Sequence, residues 1–498
     1  MQNKSFEESI KTNCYFFSNY IKRWSHTLET VHPIAKTQFI NMYELYCKHS
    51  FFIARLTPVS GELEMKVCKF GGSSVADASQ IKKVKAILDS DKERTIVVVS
   101  APGKRFSGDE KVTDMLLSCA ALAQNERALE EKFEEVKDRY RDIAEGLGLG
   151  RDVIDGELEA VLEKMKMGAG RDYAASRGEH LNAILISKYL GWNYIETEDT
   201  IVIGENNKIE NESYTNLASV IEKGKKYVIP GFYGRSPSGE VRCFSRGGSD
   251  ITGAIAARAV MADVYENWTD VSGVYSSDPR YVKSAHVIPM LSYKMVRELS
   301  EVGASVFHEE AIAPVVEVNI PINIRNTNSP EDAGTIIGKE PEEKGVVGVS
   351  AKGGLSKIYV RKLMFFKESG VRHKVLSLMH LYGIKPCYTL YGCDSISWYF
   401  ETKQIENIDT EEMCLRIKKE FSLDEIELKK GFAVVGLVGK GIEETMEYVD
   451  ALDELRKNKI VPSSISLGGS YTTFVIGVPE DRKLDAVNAI SERLFITK

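Results

Sequence analysis

From Met65 onward the chain alternates short apolar runs with amphipathic stretches. Lys66 to Phe70 predicts a strand, Gly71-Gly72-Ser73-Ser74 a turn, and Asp77 to Leu88, with Ile81, Val84, Ile87 and Leu88 at helical spacing, a helix. Thr95 to Ala101 is a continuous β-branched run of the kind a strand buried on both faces requires, and Thr113 to Gln124 follows as an apolar helix. Residues 127 to 166 are dense in charge around a stripe of Phe133, Val136, Tyr140 and Ile143. They predict solvated helices laid over the sheet, with the charge on a wet face. Strands return at Tyr227 to Phe232, at Asp263 to Asn267 and near Ile320 to Ile324, and an alanine-rich helix from Ile251 to Met261 separates the first two. The pattern is that of a three-layer α/β domain over 65–337.

Past a polar linker, Gly338 to Lys344, shorter elements occur twice over. Strand Lys357 to Lys362, helix Val371 to Tyr382, strands Lys385 to Leu390 and Ser395 to Phe400 and helix Glu411 to Glu420 form one set, in a domain expected over 345–430. Strand Phe432 to Val438, helix Ile442 to Lys457, strands Ile460 to Ser466 and Tyr471 to Val478 and helix Arg482 to Phe495 form the other, over 431–498. Two βαββα units in tandem read as an internal duplication without a catalytic constellation, suited to binding or dimerisation. The first 64 residues show neither a sustained period nor a signal-peptide pattern. Met65 is expected to be the true start; the alternative is an amphipathic extension packed on the body or on a partner.

The 498 residues, at roughly 150 per domain, agree with about three domains. With 65 Lys and Arg against 72 Asp and Glu the formal charge is -7, so no basic field is available for nucleic acid. No apolar run approaches the roughly 20 residues of a membrane-spanning helix, so no membrane is expected. The eight cysteines include no Cys-x-x-Cys pair, which fits neither a disulfide framework nor a zinc site and predicts a reducing cytoplasm.

The chemistry gathers at two glycine loops. Gly71-Gly72 lies between a strand and a helix with Lys69 beside it, but has neither the Walker A nor the dinucleotide spacing, so a different phosphate binder is expected. Ser245-Arg246-Gly247-Gly248-Ser249-Asp250 follows Ile229-Pro230-Gly231-Phe232-Tyr233-Gly234 and opens the alanine-rich helix. With Lys69-Phe-Gly-Gly-Ser-Ser-Val75, Ser176-Arg-Gly-Glu179, Pro230-Gly-Phe-Tyr-Gly234, Arg246-Gly-Gly-Ser-Asp250 and Trp268-Thr-Asp-Val-Ser-Gly-Val-Tyr-Ser-Ser-Asp-Pro-Arg280, the sequence resembles the aspartate kinases of the amino-acid kinase superfamily. The resemblance runs in order from Met65 to the C-terminus, and the duplicated units look like the paired ACT domains that make these enzymes sensitive to end-product amino acids. It implies the monofunctional type, without a fused homoserine dehydrogenase.

The reaction implied is transfer of the γ-phosphoryl group of ATP, with Mg2+, to the side-chain carboxylate of L-aspartate, the first step toward lysine, threonine and methionine. A carboxylate is ionised at neutral pH, so no general base is needed. Catalysis reduces to holding two anions in line while phosphoryl charge is neutralised. By resemblance, Lys69 and Asp250 are catalytic, and Thr113, Glu179, Arg246 and Ser249 hold aspartate. Lys69, Gly71, Gly72, Ser73, Gly247, Gly248, Thr269, Asp270, Tyr275, Arg280 and Ser305 fall where the family holds ATP, and no protein metal site is implied. It further implies a homodimer or larger assembly, with lysine or threonine as effector at the ACT interface near Lys367-Glu368-Ser369-Gly370.

Taken singly these residues have plainer readings. Arg246 and Asp250 could be a helix-start ion pair, Glu179 a solvated helix residue and Tyr275 plain core. His180 and His308 are expected to pack or hydrogen-bond, since this chemistry asks nothing of an imidazole. One departure matters: where many family members have a lysine that reaches the nucleotide, this chain has Ser305. Ser305 favours a catalytically weak amino-acid sensor built on the same scaffold, which intact Lys69, Glu179, Arg246 and Asp250 oppose more strongly; a separate alternative, a relative acting on glutamate, acetylglutamate or uridylate, is opposed by the Arg246 motif and the ACT pair.

Overall fold

The computed structural model describes residues 65–496, apart from Arg246, 305–308, Phe366, Glu368, Ser369, Gly468 and Ser470. The segment 1–64, Arg246, Ser305, His308 and half of the expected effector turn therefore lie outside the described residues.

The N-terminal part of the described residues is built on an eight-stranded sheet. Its strands are β1 (Lys66–Phe70), β2 (Arg94–Val99), β3 (Asn193–Tyr194), β4 (Tyr227–Pro230), β7 (Val264–Thr269), β8 (Met290–Ser292), β9 (Ile322–Asn326) and β10 (Thr335–Gly338), while β5 (Tyr233–Arg235) and β6 (Val241–Cys243) form a small separate hairpin. The order is β3-β4-β2-β1-β7-β9-β10-β8, parallel from β3 to β9, with β10 antiparallel to β9. Burial on both faces explains the unbroken apolar run of β2. Ile96 and Val98 enter one core with the helices Gly248–Ala259 and Tyr293–Glu301, while Val97 and Val99 enter another with Ala78–Asp89, Glu126–Gly146 and Arg171–Leu190. The three layers expected from sequence are present. Small residues let the helix Gly248–Ala259 approach the sheet closely: a Cβ on Gly253 would stand 2.5 Å from the Tyr265 hydroxyl.

The C-terminal units share a single antiparallel sheet. Strands β11 (Gly345–Arg361) and β14 (Glu425–Lys440) pair along their whole lengths, giving the order β12-β13-β11-β14-β16-β15 with β12 (Tyr388–Tyr391), β13 (Ser395–Glu401), β15 (Ser464–Leu467) and β16 (Thr473–Pro479). Each long strand serves both units. Val346 and Val349 lie in one core with Val435, Leu437 and Ile476, and Ile358 and Val360 in the other with Trp398 and Phe400. The register shifts between Lys352 and Leu355, where Gly354 has a left-handed φ of 69°. The helix expected over Ile442 to Lys457 is broken in two at Met446, which adopts φ 56°. The break turns Glu447 inward to accept the Val346 N–H, tying the helix to the start of β11.

This sheet packs directly on the domain of the eight-stranded sheet. Val302 fills the space over Gly436, Gly303 lies against the Ala351 carbonyl, and Ser276 accepts the Val349 N–H at 2.7 Å. Val282, from the segment that carries Arg280, is buried in the core of Val435 and Ile476.

Candidate active site

Strands β4, β2, β1 and β7 all end on one edge of the sheet, and there they deliver Gly231, Ser100 to Gly103, Lys69 to Ser74, and Trp268 with Thr269. Lys69 and Asn267 are register partners on β1 and β7, and both reach Asp250 Oδ1 from the first turn of Gly248–Ala259, at 2.6 Å and 2.7 Å. The Tyr265 hydroxyl donates to the Asp250 carbonyl at 3.0 Å. Lys69 is 7% exposed, so the ammonium is held in one place beside its carboxylate.

The loop after β1 turns through a short 3-10 helix, Gly72–Val75. Gly71 N–H donates to the Trp268 carbonyl at 3.2 Å, and a Cβ there would sit 3.5 Å from Lys69 Nζ. Gly72 is pressed against the loop after β2: its carbonyl accepts the Gly103 N–H at 2.9 Å, and a Cβ on Gly103 would lie 2.7 Å from the Gly72 carbonyl carbon. On the other side, Gly247 caps Gly248–Ala259 with φ 59°. A Cβ on Gly248 would meet Phe232 Cα at 2.8 Å, and one on Gly231 would meet Ser249 Oγ at 2.6 Å. Both glycine loops are thus places where two backbones touch.

Glu179 lies on Arg171–Leu190, 6% exposed, and accepts a hydrogen bond from the Ala101 backbone. Its Oε2 has no partner among the described residues, and burial pushes the carboxyl up to about 8. Val112 and Leu116 pack on Gly178, and Thr113, half-buried, lies in the same helical turn. Ser73 is exposed beside the loop; Ser74 is buried and shares a 2.7 Å hydrogen bond with Thr327, whose N–H donates to the Thr269 carbonyl. Thr269 donates to Asp270 at 3.1 Å.

Tyr275 and Arg280 are not joined to this group. Tyr275 is half-buried and bridged to Val287, and the exposed Arg280 is paired with Asp278 at 2.6 Å. His180 hydrogen-bonds Glu196 at 2.9 Å and Tyr194 at 3.0 Å, as its expected role requires. Sequence reasoning missed Asn267 and Gly103. A polar residue inside a buried strand was the available signal for the first; for the second, only a glycine after Ser100-Ala101-Pro102, which marks any turn.

An ammonium fixed by a carboxylate, two glycine loops and a buried carboxyl whose Oε2 has no partner among the described residues are groups suited to one anionic and one cationic ligand group. Residues 64–326 match the amino acid kinase family, and the chain belongs to it. Aspartokinase 3 of Bacillus subtilis is 36% identical over 451 residues, which span 86% of this chain and 99% of that protein. The crystal structure of Clostridium acetobutylicum aspartate kinase, described as an allosteric enzyme, matches with a TM-score of 0.79 and 38% identity over 87% of this chain and 100% of its own. Escherichia coli aspartokinase III in complex with lysine and aspartate, 22% identical with a TM-score of 0.69 over 86% of this chain and 99% of its own, shares the fold. Within the family the chain is an ATP-dependent aspartate kinase.

Proposed function

We propose that this edge of the sheet transfers the γ-phosphoryl group of ATP to the side-chain carboxylate of L-aspartate through the residues named above. A carboxylate oxygen forms the new bond to phosphorus, the bond to the β,γ-bridging oxygen breaks, and ADP leaves with that electron pair. Lys69, held by Asp250, faces the phosphoryl charge, and the first N–H groups of the Gly72–Val75 turn, which have no acceptor within the turn, add to it. Glu179 pairs with the substrate ammonium, Arg246 with its α-carboxylate, and Thr113 and Ser249 complete the amino-acid subsite. Gly247, Gly248, Thr269, Asp270, Tyr275, Arg280 and Ser305 belong to the nucleotide side.

The observation that carries the reading is Glu179: a buried carboxylate oxygen without a partner is costly unless a ligand cation completes it. Mg2+ fits as a companion of the nucleotide, because among the described residues no three His, Cys, Asp or Glu cluster, and Mg2+ is ordinarily held through phosphate oxygens with one or two carboxylates. Bound there, it would neutralise phosphate oxygens. Feedback by lysine or threonine at the ACT units, with effector near Lys367 and Gly370, a homodimer or larger assembly and a cytoplasmic location complete the proposal. The lysine complex of the Escherichia coli relative supports lysine as effector, and among the described residues no helix is long and apolar enough to cross a membrane. A coupled ADP-release assay with aspartate, with glutamate and without acceptor tests the reaction. Aspartate-dependent release is expected; its absence, with aspartate still bound, would leave the sensor reading that Ser305 suggests.

A further inference from the structure

The helix Glu126–Gly146 has most of its charges paired near its surface, as in Lys132 with Glu135 and Arg141 with Asp155. Two adjacent residues are different: Arg139 corrects the expectation that the charges of this helix lie on a wet face, and Tyr140, a member of the expected core stripe, also makes a hydrogen bond. Arg139 is 4% exposed. Its Nη2 donates to the carbonyls of Gly103 at 2.7 Å and Ala76 at 3.0 Å, and its Nη1 to Asp109 Oδ2 at 2.8 Å. The next residue, Tyr140, is fully buried and donates its hydroxyl to the Gly178 carbonyl at 2.6 Å.

These acceptors are the backbones of the two halves of the site. Ala76 follows the turn that starts at Gly72, and Gly103 is the residue whose N–H holds the Gly72 carbonyl, so one guanidinium spans both glycine segments. Gly178 precedes Glu179 and lies so close to the loop after β2 that a Cβ would stand 2.7 Å from that of Ala101. A buried guanidinium is costly, and Arg139 leaves its Nε without a partner while its fork reaches two carbonyls and a carboxylate. Asp109, from an otherwise exposed loop, is also bound by Arg105 through Nε and Nη2 at 2.9 Å.

We infer that Arg139 and Tyr140 are positioning residues for phosphoryl transfer, Arg139 holding the nucleotide loop and Tyr140 the amino-acid subsite. The inference rests on the reading of the site given above. One turn of one helix, touching neither substrate, then sets the distance between the two reacting groups, and a displacement of about 1 Å there is enough to cost a large factor in rate.

Arg139→Lys keeps the charge beside Asp109 but not the fork, and Tyr140→Phe removes a hydroxyl alone. The full chain and both variants are compared by steady-state ADP release with each substrate varied, and by calorimetric titration with ADP and with aspartate. Arg139→Lys is expected to raise KM for ATP and weaken ADP binding about tenfold, leaving the constants for aspartate within about twofold. Tyr140→Phe is expected to raise KM for aspartate about fivefold with nucleotide constants unchanged. A structural role alone would move both substrates together. Parallel changes in either variant, or no change in both, overturn the inference. Should Arg139→Lys not fold, Tyr140→Phe decides by the same criterion. A wild-type chain that binds both ligands yet releases no ADP with aspartate fails the proposed reaction, while the titrations still test the positioning.

Discussion

A carboxyl pushed up to about 8 by burial makes binding of an ammonium at Glu179 a proton-releasing event near neutral pH. The neutral form predominates in the empty pocket, and pairing with the substrate requires the charged one. KM for aspartate should therefore fall as pH rises toward 8, by up to about tenfold per unit, with the constant for ATP flatter. Stability without ligand runs the other way. A folded-state value raised above the ordinary 4.5 contributes stability that is fully present below about 4.5 and is lost as pH rises through about 8. Glu179→Gln should thus be more stable than the parent at pH 8 in thermal melts while losing aspartate binding by calorimetry. Lys69→Ala should cut turnover about a hundredfold or more with aspartate still bound. Retained turnover in that variant would remove Lys69 from the chemistry. Lys69, Glu179 and Asp250 stood out in the sequence because they sit inside ordered motifs, and the structure brings Lys69 to Asp250; the contact of Asn267 with Asp250 was hidden because it comes from register across strands, which a linear pattern does not contain.

At the level of elements, the two glycine loops act through contact with other backbones, and in the second loop also through the left-handed φ of Gly247. Gly103→Ala puts a methyl 2.7 Å from the Gly72 carbonyl carbon, where no rotamer relieves the clash. The expected result is a raised KM for ATP and a loss of about 1–3 kcal/mol in denaturant melts, with aspartate binding affected less. The strand and helix pattern of the catalytic domain was readable because each buried strand and amphipathic helix announces itself by its own period. Two features were not. The stripe over Ile442 to Lys457 continues through Met446, yet the helix breaks there so that Glu447 can accept the Val346 N–H 101 residues away in sequence. Arg139 resembles any surface arginine until its three acceptors, 30, 36 and 63 residues distant, are known.

Across the whole molecule, catalytic and regulatory parts share their interiors. Val438 of β14 is buried in the catalytic core beside Leu299 and Val302, and Val282 of the catalytic segment is buried in the core under β16. A chain cut at residue 340 would expose both surfaces, so loss of inhibition on truncation should come with a lower Tm and self-association, measurable by melting and light scattering. A narrower deletion avoids this. In the sheet, Lys352 lies opposite Val434 and Leu355 opposite Phe432, so the chain leaves the outer unit at Lys352 and re-enters it beside that point. The unit between them is nested like a parenthesis, and it can be lifted out. Joining Gly354 to Phe432 closes a short hairpin over Gly353 and Gly354, removes the Glu425–Gly431 part of β14, and leaves its Phe432–Lys440 part, β16 and the surfaces under Val302 and Val282 in place. Such a chain should melt cooperatively and phosphorylate aspartate while ignoring any effector that binds at Lys367 and Gly370. Its failure to fold would show that the nested unit is needed for more than sensing. The same seam offers an address for grafting: a foreign ligand-binding hairpin or small domain whose ends lie one strand apart could occupy the vacated place and put this kinase under a different signal.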